Sequence, residues 1–85
     1  MALDILYFAW VREAVGVSSE QVDPPADVTD VAGLIAWLAR RSDGHASGLG
    51  EPRRLRAALD QAFVPLDTPI AGAREVAIFP PVTGG

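Results

Sequence analysis

The sequence predicts an α+β domain, a mixed sheet packed on one main helix with an extended tail at the carboxyl end. Three observations predict it. Strand-like segments, Leu3 to Phe8 and Glu75 to Phe79, lie near the two ends of the chain, with apolar residues spaced two apart. Val31, Leu34, Ile35 and Leu38 recur at i, i+3, i+4 and i+7, the spacing of one helix face. The last strand runs into Phe79-Pro80-Pro81-Val82-Thr83-Gly84-Gly85, where two prolines fix φ and withhold N–H donors, so the chain leaves the sheet in a polyproline-like path.

Each element follows in order. In the first strand Leu3, Ile5 and Tyr7 share one face and Leu6 and Phe8 the other; apolar residues on both faces predict a central strand. Trp10, Val11, Ala14 and Val15 predict a short helix over 9–15, and Gly16 supplies its left-handed stop. A second strand over Ser19 to Asp23 ends at Pro24-Pro25. Thr29 or Asp30 caps the main helix, and Arg40 and Arg41 complement the dipole at its carboxyl end. Gly33 inside it costs about 0.5–1 kcal/mol against alanine and implies close packing. Residues 42–52, with three glycines and a proline, predict a loop that carries His45 as a solvated side chain. Strand signals resume at Leu55 to Asp60 and at Phe63-Val64, and a turn-rich stretch over 65–74 precedes the final strand, where Val76 and Ile78 share a face opposite Phe79. The expected division is a folded domain over 1–79 and a tail over 80–85.

Composition removes several function classes. The 85 residues form one small domain, and 49% hydrophobic with 21% charged residues describes a folded chain. Zero cysteines and a single histidine exclude disulfides, cysteine-ligated zinc, a thiol nucleophile and a multi-histidine metal site, and no Ser-His-Asp triad is expected. A net charge of −4 argues against nucleic acid as a partner. No apolar run approaches the ~20 residues of a membrane span and no signal peptide is evident, so the expected location is the cytoplasm. Arg53, Arg54 and Arg56 form the one local basic cluster, read as a solvated face or a protected edge, or else as a docking site for an acidic partner. All seven cationic side chains are arginine, so an activated carboxyl terminus meets no lysine amine in its own chain.

Six residues of tail at ~3.1–3.5 Å each reach ~20 Å, enough to enter another protein's active site. Gly84 and Gly85 lack the Cβ that would jam a narrow channel, and the reactive group they deliver is the Gly85 carboxylate. For Gly-Gly taken alone, a frayed chain end is the plain alternative. Phe8 and Phe79 stand at strand positions where exposed apolar surface would mark a partner site, with ordinary packing as the alternative. Trp10 and Trp37 are expected to pack on the core.

Leu6-Tyr7-Phe8-Ala9-Trp10-Val11-Arg12-Glu13 and Glu75-Val76-Ala77-Ile78-Phe79-Pro80-Pro81-Val82-Thr83-Gly84-Gly85 resemble the opening and closing segments of the molybdopterin synthase small-subunit family, the ubiquitin-like sulfur carriers. The resemblance spans nearly the whole chain and is weaker over 42–54. Asp60 stands where the family commonly has asparagine, and Ala73-Arg74 where a Gly-Asp turn is often found.

The resemblance implies a ubiquitin-like β-grasp fold and a chain that is not catalytic alone. It also implies that an E1-like adenylyltransferase uses ATP to adenylate Gly85, that a sulfur donor converts it to a thiocarboxylate, and that no cofactor is bound permanently. The tail, Pro80 to Gly85, would then enter the large synthase subunit and give its sulfur to cyclic pyranopterin monophosphate. Phe79, Phe8 and Arg12 would contact the partner, in a heterotetramer with two large subunits. Two alternatives remain: another β-grasp sulfur carrier serving thiamine or amino-acid synthesis, and a ubiquitin-like binding or modifier module.

Overall fold

The computed structural model describes residues 2–81. Its five strands are β1 (Leu3–Tyr7), β2 (Ser19–Val22), β3 (Arg56–Leu59), β4 (Ala62–Val64) and β5 (Glu75–Phe79), in the spatial order β2-β1-β5-β3-β4. β1 and β5 pair in parallel at the centre, with Ile5 opposite Val76 and Tyr7 opposite Ile78; the other pairings are antiparallel. This is the β-grasp arrangement, a mixed sheet carrying helices on one face.

Alternation decides which face is covered. Leu3, Ile5, Tyr7, Val76 and Ile78 point to the helical side and are buried, and Val31, Leu34, Ile35 and Leu38 meet them from helix α2 (Val31–Ala39). The Asp30 carboxylate caps α2 by accepting from the Gly33 amide at 2.7 Å. A Cβ on Gly33 would lie 3.0 Å from that same oxygen, so the glycine makes room for the cap. Helix α1 (Ala9–Val15) ends as the sequence predicts: Gly16 has φ 97°, and its amide donates to the Arg12 carbonyl.

The 42–52 segment departs from its predicted loop. It forms helix α3 (Asp43–Leu49), followed by one 3₁₀ turn at Pro52–Arg54. Ser42 caps α3 by accepting from the His45 amide at 3.1 Å, and Leu49 is buried. The glycines that read as loop signals serve close helix packing. A Cβ on Gly44 would stand 2.6 Å from the Ala14 carbonyl oxygen, and one on Gly48 would stand 3.1 Å from Ala14 Cβ, so α1 and α3 touch nearly backbone to backbone.

The β3–β4 hairpin turns at Asp60-Gln61, with φ 48° and 73°; positive φ at both central residues matches the right-handed twist of the strands. Asp60 Oδ1 also accepts from the Arg74 and Glu75 amides at 2.9 Å each, tying this turn to the entry of β5.

Candidate functional site

The sheet face away from the helices is open, and its middle is apolar. Leu6, Ala77, Ala58 and Phe63 line up across β1, β5, β3 and β4 as direct cross-strand partners. Alanine on β5 and β3, with larger side chains on β1 and β4, produces a shallow groove of ≈ 790 Å³. Its far wall is Phe8, Phe79, Pro80 and Pro81, so the groove runs up to the point where the tail leaves β5. Phe63 is 80% exposed and Phe8 46%, and the Phe63 and Phe79 rings stand 5.5 Å apart. Exposed aromatic rings gathered beside an apolar groove are the kind of surface on which another molecule can dock.

Phe8 and Phe79 therefore fall together. Phe8 is the extended residue between β1 and α1, and its amide donates to the Ile78 carbonyl. Ala9, the first residue of α1, holds φ 54°, a left-handed conformation unusual for alanine, and lines the groove beside Phe8. Arg12 stands apart on the exposed side of α1. Pro80 and Pro81 continue past β5, whereas Val82, Thr83, Gly84 and Gly85 lie outside the described residues. Sequence reasoning missed Phe63. Its signal was present, a phenylalanine one residue from a hairpin turn on a strand only Ala62–Val64 long.

His45 is not a solvated loop residue. Its side chain is 12% exposed on α3, with Nε2 2.6 Å from Glu20 Oε2 and Nδ1 2.7 Å from Ser42 Oγ. The Tyr7 hydroxyl donates to the same Glu20 oxygen at 2.7 Å, and Arg41 lies 3.6 Å from the other. Burial works against ionisation of Glu20, but the hydrogen bonds from His45 and Tyr7 and the charges of His45 and Arg41 outweigh it and hold the carboxyl below its usual range. Burial, then the Glu20 hydrogen bond and charge, push the Tyr7 phenol far up.

Ser42, His45 and Glu20 thus form a hydrogen-bonded line that the single histidine did not foretell. Its geometry is structural: the Ser42 oxygen is already engaged as the α3 cap, and the line fastens α3 to β2. Trp10 and Trp37 pack on the core as expected, each with an arginine over its outer face, Arg54 at 5.0 Å and Arg41 at 5.2 Å. Among the described residues no cluster of three acidic, histidine or cysteine side chains could hold a metal ion, and no helix is long and apolar enough to cross a membrane.

Fold and site together define a β-grasp protein with an apolar face abutting the root of a carboxyl-terminal tail. The model of the ThiS family matches residues 5–85, and the chain belongs to that family. Among curated relatives, the molybdopterin synthase sulfur carrier subunit of Escherichia coli is 43% identical over 98% of this chain and 99% of its own length. A solved structure of a putative molybdopterin converting factor, subunit 1, from Pyrococcus furiosus has a TM-score of 0.68 at 20% identity and covers 96% of this chain and 99% of its own. A chain from the complex of subunits 1 and 2 of molybdopterin-converting factor of Helicobacter pylori covers all of both chains, with a TM-score of 0.63 at 24% identity. These two likenesses show the fold.

Proposed function

We propose that this chain is the sulfur carrier subunit of a molybdopterin synthase. The observation that carries the reading is the continuity of the apolar groove with the tail root, from Phe63 through Phe79 to Pro80 and Pro81. A protein docked on that face would receive whatever the tail delivers.

The chemistry follows from the Gly85 carboxylate. It is a poor acyl donor, because oxide is a poor leaving group. An E1-like activating enzyme spends ATP to make the acyl-adenylate, releasing pyrophosphate, and sulfur from a donor displaces AMP to leave a thiocarboxylate. The tail next enters the large subunit, where the thiocarboxylate sulfur attacks cyclic pyranopterin monophosphate to form a thioester; water then cleaves the acyl–sulfur bond, returning the Gly85 carboxylate and leaving the sulfur on the pterin, and two such transfers complete one dithiolene. Gly84 and Gly85 pass the channel, Pro80 to Thr83 aim them, and Phe8, Phe63 and Phe79 anchor the docked face. Arg12 pairs with an acidic residue at the margin. Substrate binding and acid-base groups belong to the large subunit, in a cytoplasmic heterotetramer with two large subunits and no cofactor held by this chain.

Intact-mass measurement after incubation with the activating enzyme, ATP and a sulfur donor tests the reading. The chain should become about 16 Da heavier as sulfur replaces oxygen. A chain lacking Gly84 and Gly85 should melt as the intact one does and gain nothing. No gain by the intact chain with any activating enzyme of the same organism would overturn the proposal.

A further inference from the structure

The acidic chain is charged unevenly along its sheet. β3 runs antiparallel to β5, so the segment that enters β3 lies at the end from which the tail departs. That segment carries Arg53, Arg54 and Arg56, all exposed. Arg56 is the direct cross-strand partner of Phe79 and shares its face of the sheet, at the lip of the apolar groove. One of its guanidinium nitrogens is fixed by the Leu55 carbonyl at 2.8 Å, which holds the group in place. Arg54 lies over Trp10, with Glu51 3.8 Å away as a partial counter-charge. Arg53 has no ion-pair or side-chain hydrogen-bond partner among the described residues.

The opposite end of the sheet is acidic. Asp4 pairs with Glu75 across β1 and β5, Asp60 occupies the turn beside Glu75, and Asp23 follows β2 at that same end. Among the described residues, Arg74 is the cation at this end.

We infer that Arg53, Arg54 and Arg56 form a basic collar around the tail root that docks on an acidic strip of the subunit receiving the tail. The inference rests on the carrier reading and names the charge of its partner. Two features select this occupant: the clustered positive charge, which calls for carboxylates opposite it, and the continuity of the collar with the groove through Arg56 and Phe79. Arginine matches carboxylates with paired N–H donors, and a basic end on an acidic body orients the chain as it approaches, tail first. The apolar groove supplies adhesion after contact, and the collar sets which end arrives.

The test compares association kinetics with the large subunit of the same organism's synthase for the intact chain, Arg53→Glu, Arg53→Glu/Arg56→Glu and Arg74→Glu. Arg53→Glu and Arg74→Glu change the net charge equally, at opposite ends. At low salt the double variant should associate about tenfold more slowly, Arg53→Glu several-fold more slowly and Arg74→Glu at nearly the intact rate. In ~1 M salt, where screening acts within ~3 Å, the differences should vanish. Arg53→Glu disturbs no side-chain hydrogen bond, so its result stands even if the double variant is less stable. Equal slowing by Arg53→Glu and Arg74→Glu, or none by either, overturns the inference. So does slower thiocarboxylation of the double variant with unchanged binding to the large subunit, because the collar would then serve the activating enzyme. If the intact chain binds the large subunit and gains sulfur while the collar variants behave like it, the collar alone fails. If the intact chain does neither, the carrier reading itself has failed.

Discussion

His45 Nε2 lies 2.6 Å from Glu20 Oε2 and joins helix α3 to strand β2. A carboxylate only accepts hydrogen bonds, so Nε2 carries the proton in this pair. Ionised Glu20 is favoured by folding, hence its contribution is complete above the ordinary carboxyl value of 4.5 and disappears as pH falls through the lower folded value. Tyr7 works on the alkaline side: the fold favours the neutral phenol, and that stability is lost as pH rises past its ordinary 10.0. Glu20→Gln should lower stability at neutral pH by about 1–2 kcal/mol, roughly 5–10 °C in Tm, and flatten the acid limb of a Tm-against-pH curve. An unchanged acid limb would remove Glu20 from this role.

Asp60→Ala should cost about 1–3 kcal/mol, because two backbone amides lose their acceptor and alanine is unfavourable at φ 48°. Asp60→Asn keeps an acceptor and tolerates that φ, so its cost should stay below about 1 kcal/mol. Urea unfolding of both variants checks the order, and equal losses would contradict it.

Gly44→Ala puts a methyl 2.6 Å from a backbone oxygen that belongs to α1 and cannot swing aside. A loss of about 1–3 kcal/mol is expected, with faster amide exchange in α1 and α3 than in the sheet. Gly16→Ala meets open space and should cost only the strain of its φ, about 1 kcal/mol.

Phe63→Ala should leave Tm within about 1 °C, since a ring this exposed stabilises little, yet weaken binding to the large subunit by about 2 kcal/mol. Calorimetric titration measures the second effect. Equal affinity for Phe63→Ala and the intact chain would remove the groove's β4 wall from the docking surface.

Strands and helices with plain periodicity were legible in the residues: β1 and β5 by alternation, and α2 by its Val31-Leu34-Ile35-Leu38 stripe and Asp30 cap. Helix α3 was not. Its glycines are poor helix formers, and what requires them is the backbone of α1, a tertiary neighbour that no local window contains. His45 was misplaced for the same reason, because Glu20 is 25 residues away in sequence. Strand parity put Phe8 and Phe79 on the sheet face opposite Ile5 and Val76, where the groove lies. Phe63 joins them through the β3–β4 register, which depends on the positive φ values at Asp60 and Gln61.

The parallel pairing of β1 with β5 also bears on synthesis. The first-made strand waits for the last-made one as its central neighbour, so the sheet cannot close while the chain is still being translated through residues 75–79. Such distant contacts close late. A product truncated before Phe79 lacks the middle of its sheet and exposes Ile5 and Tyr7 to proteases, whereas a chain that has folded has necessarily been extended to the root of its tail. A copy too short to bring the tail's base therefore also lacks the strand that completes the groove.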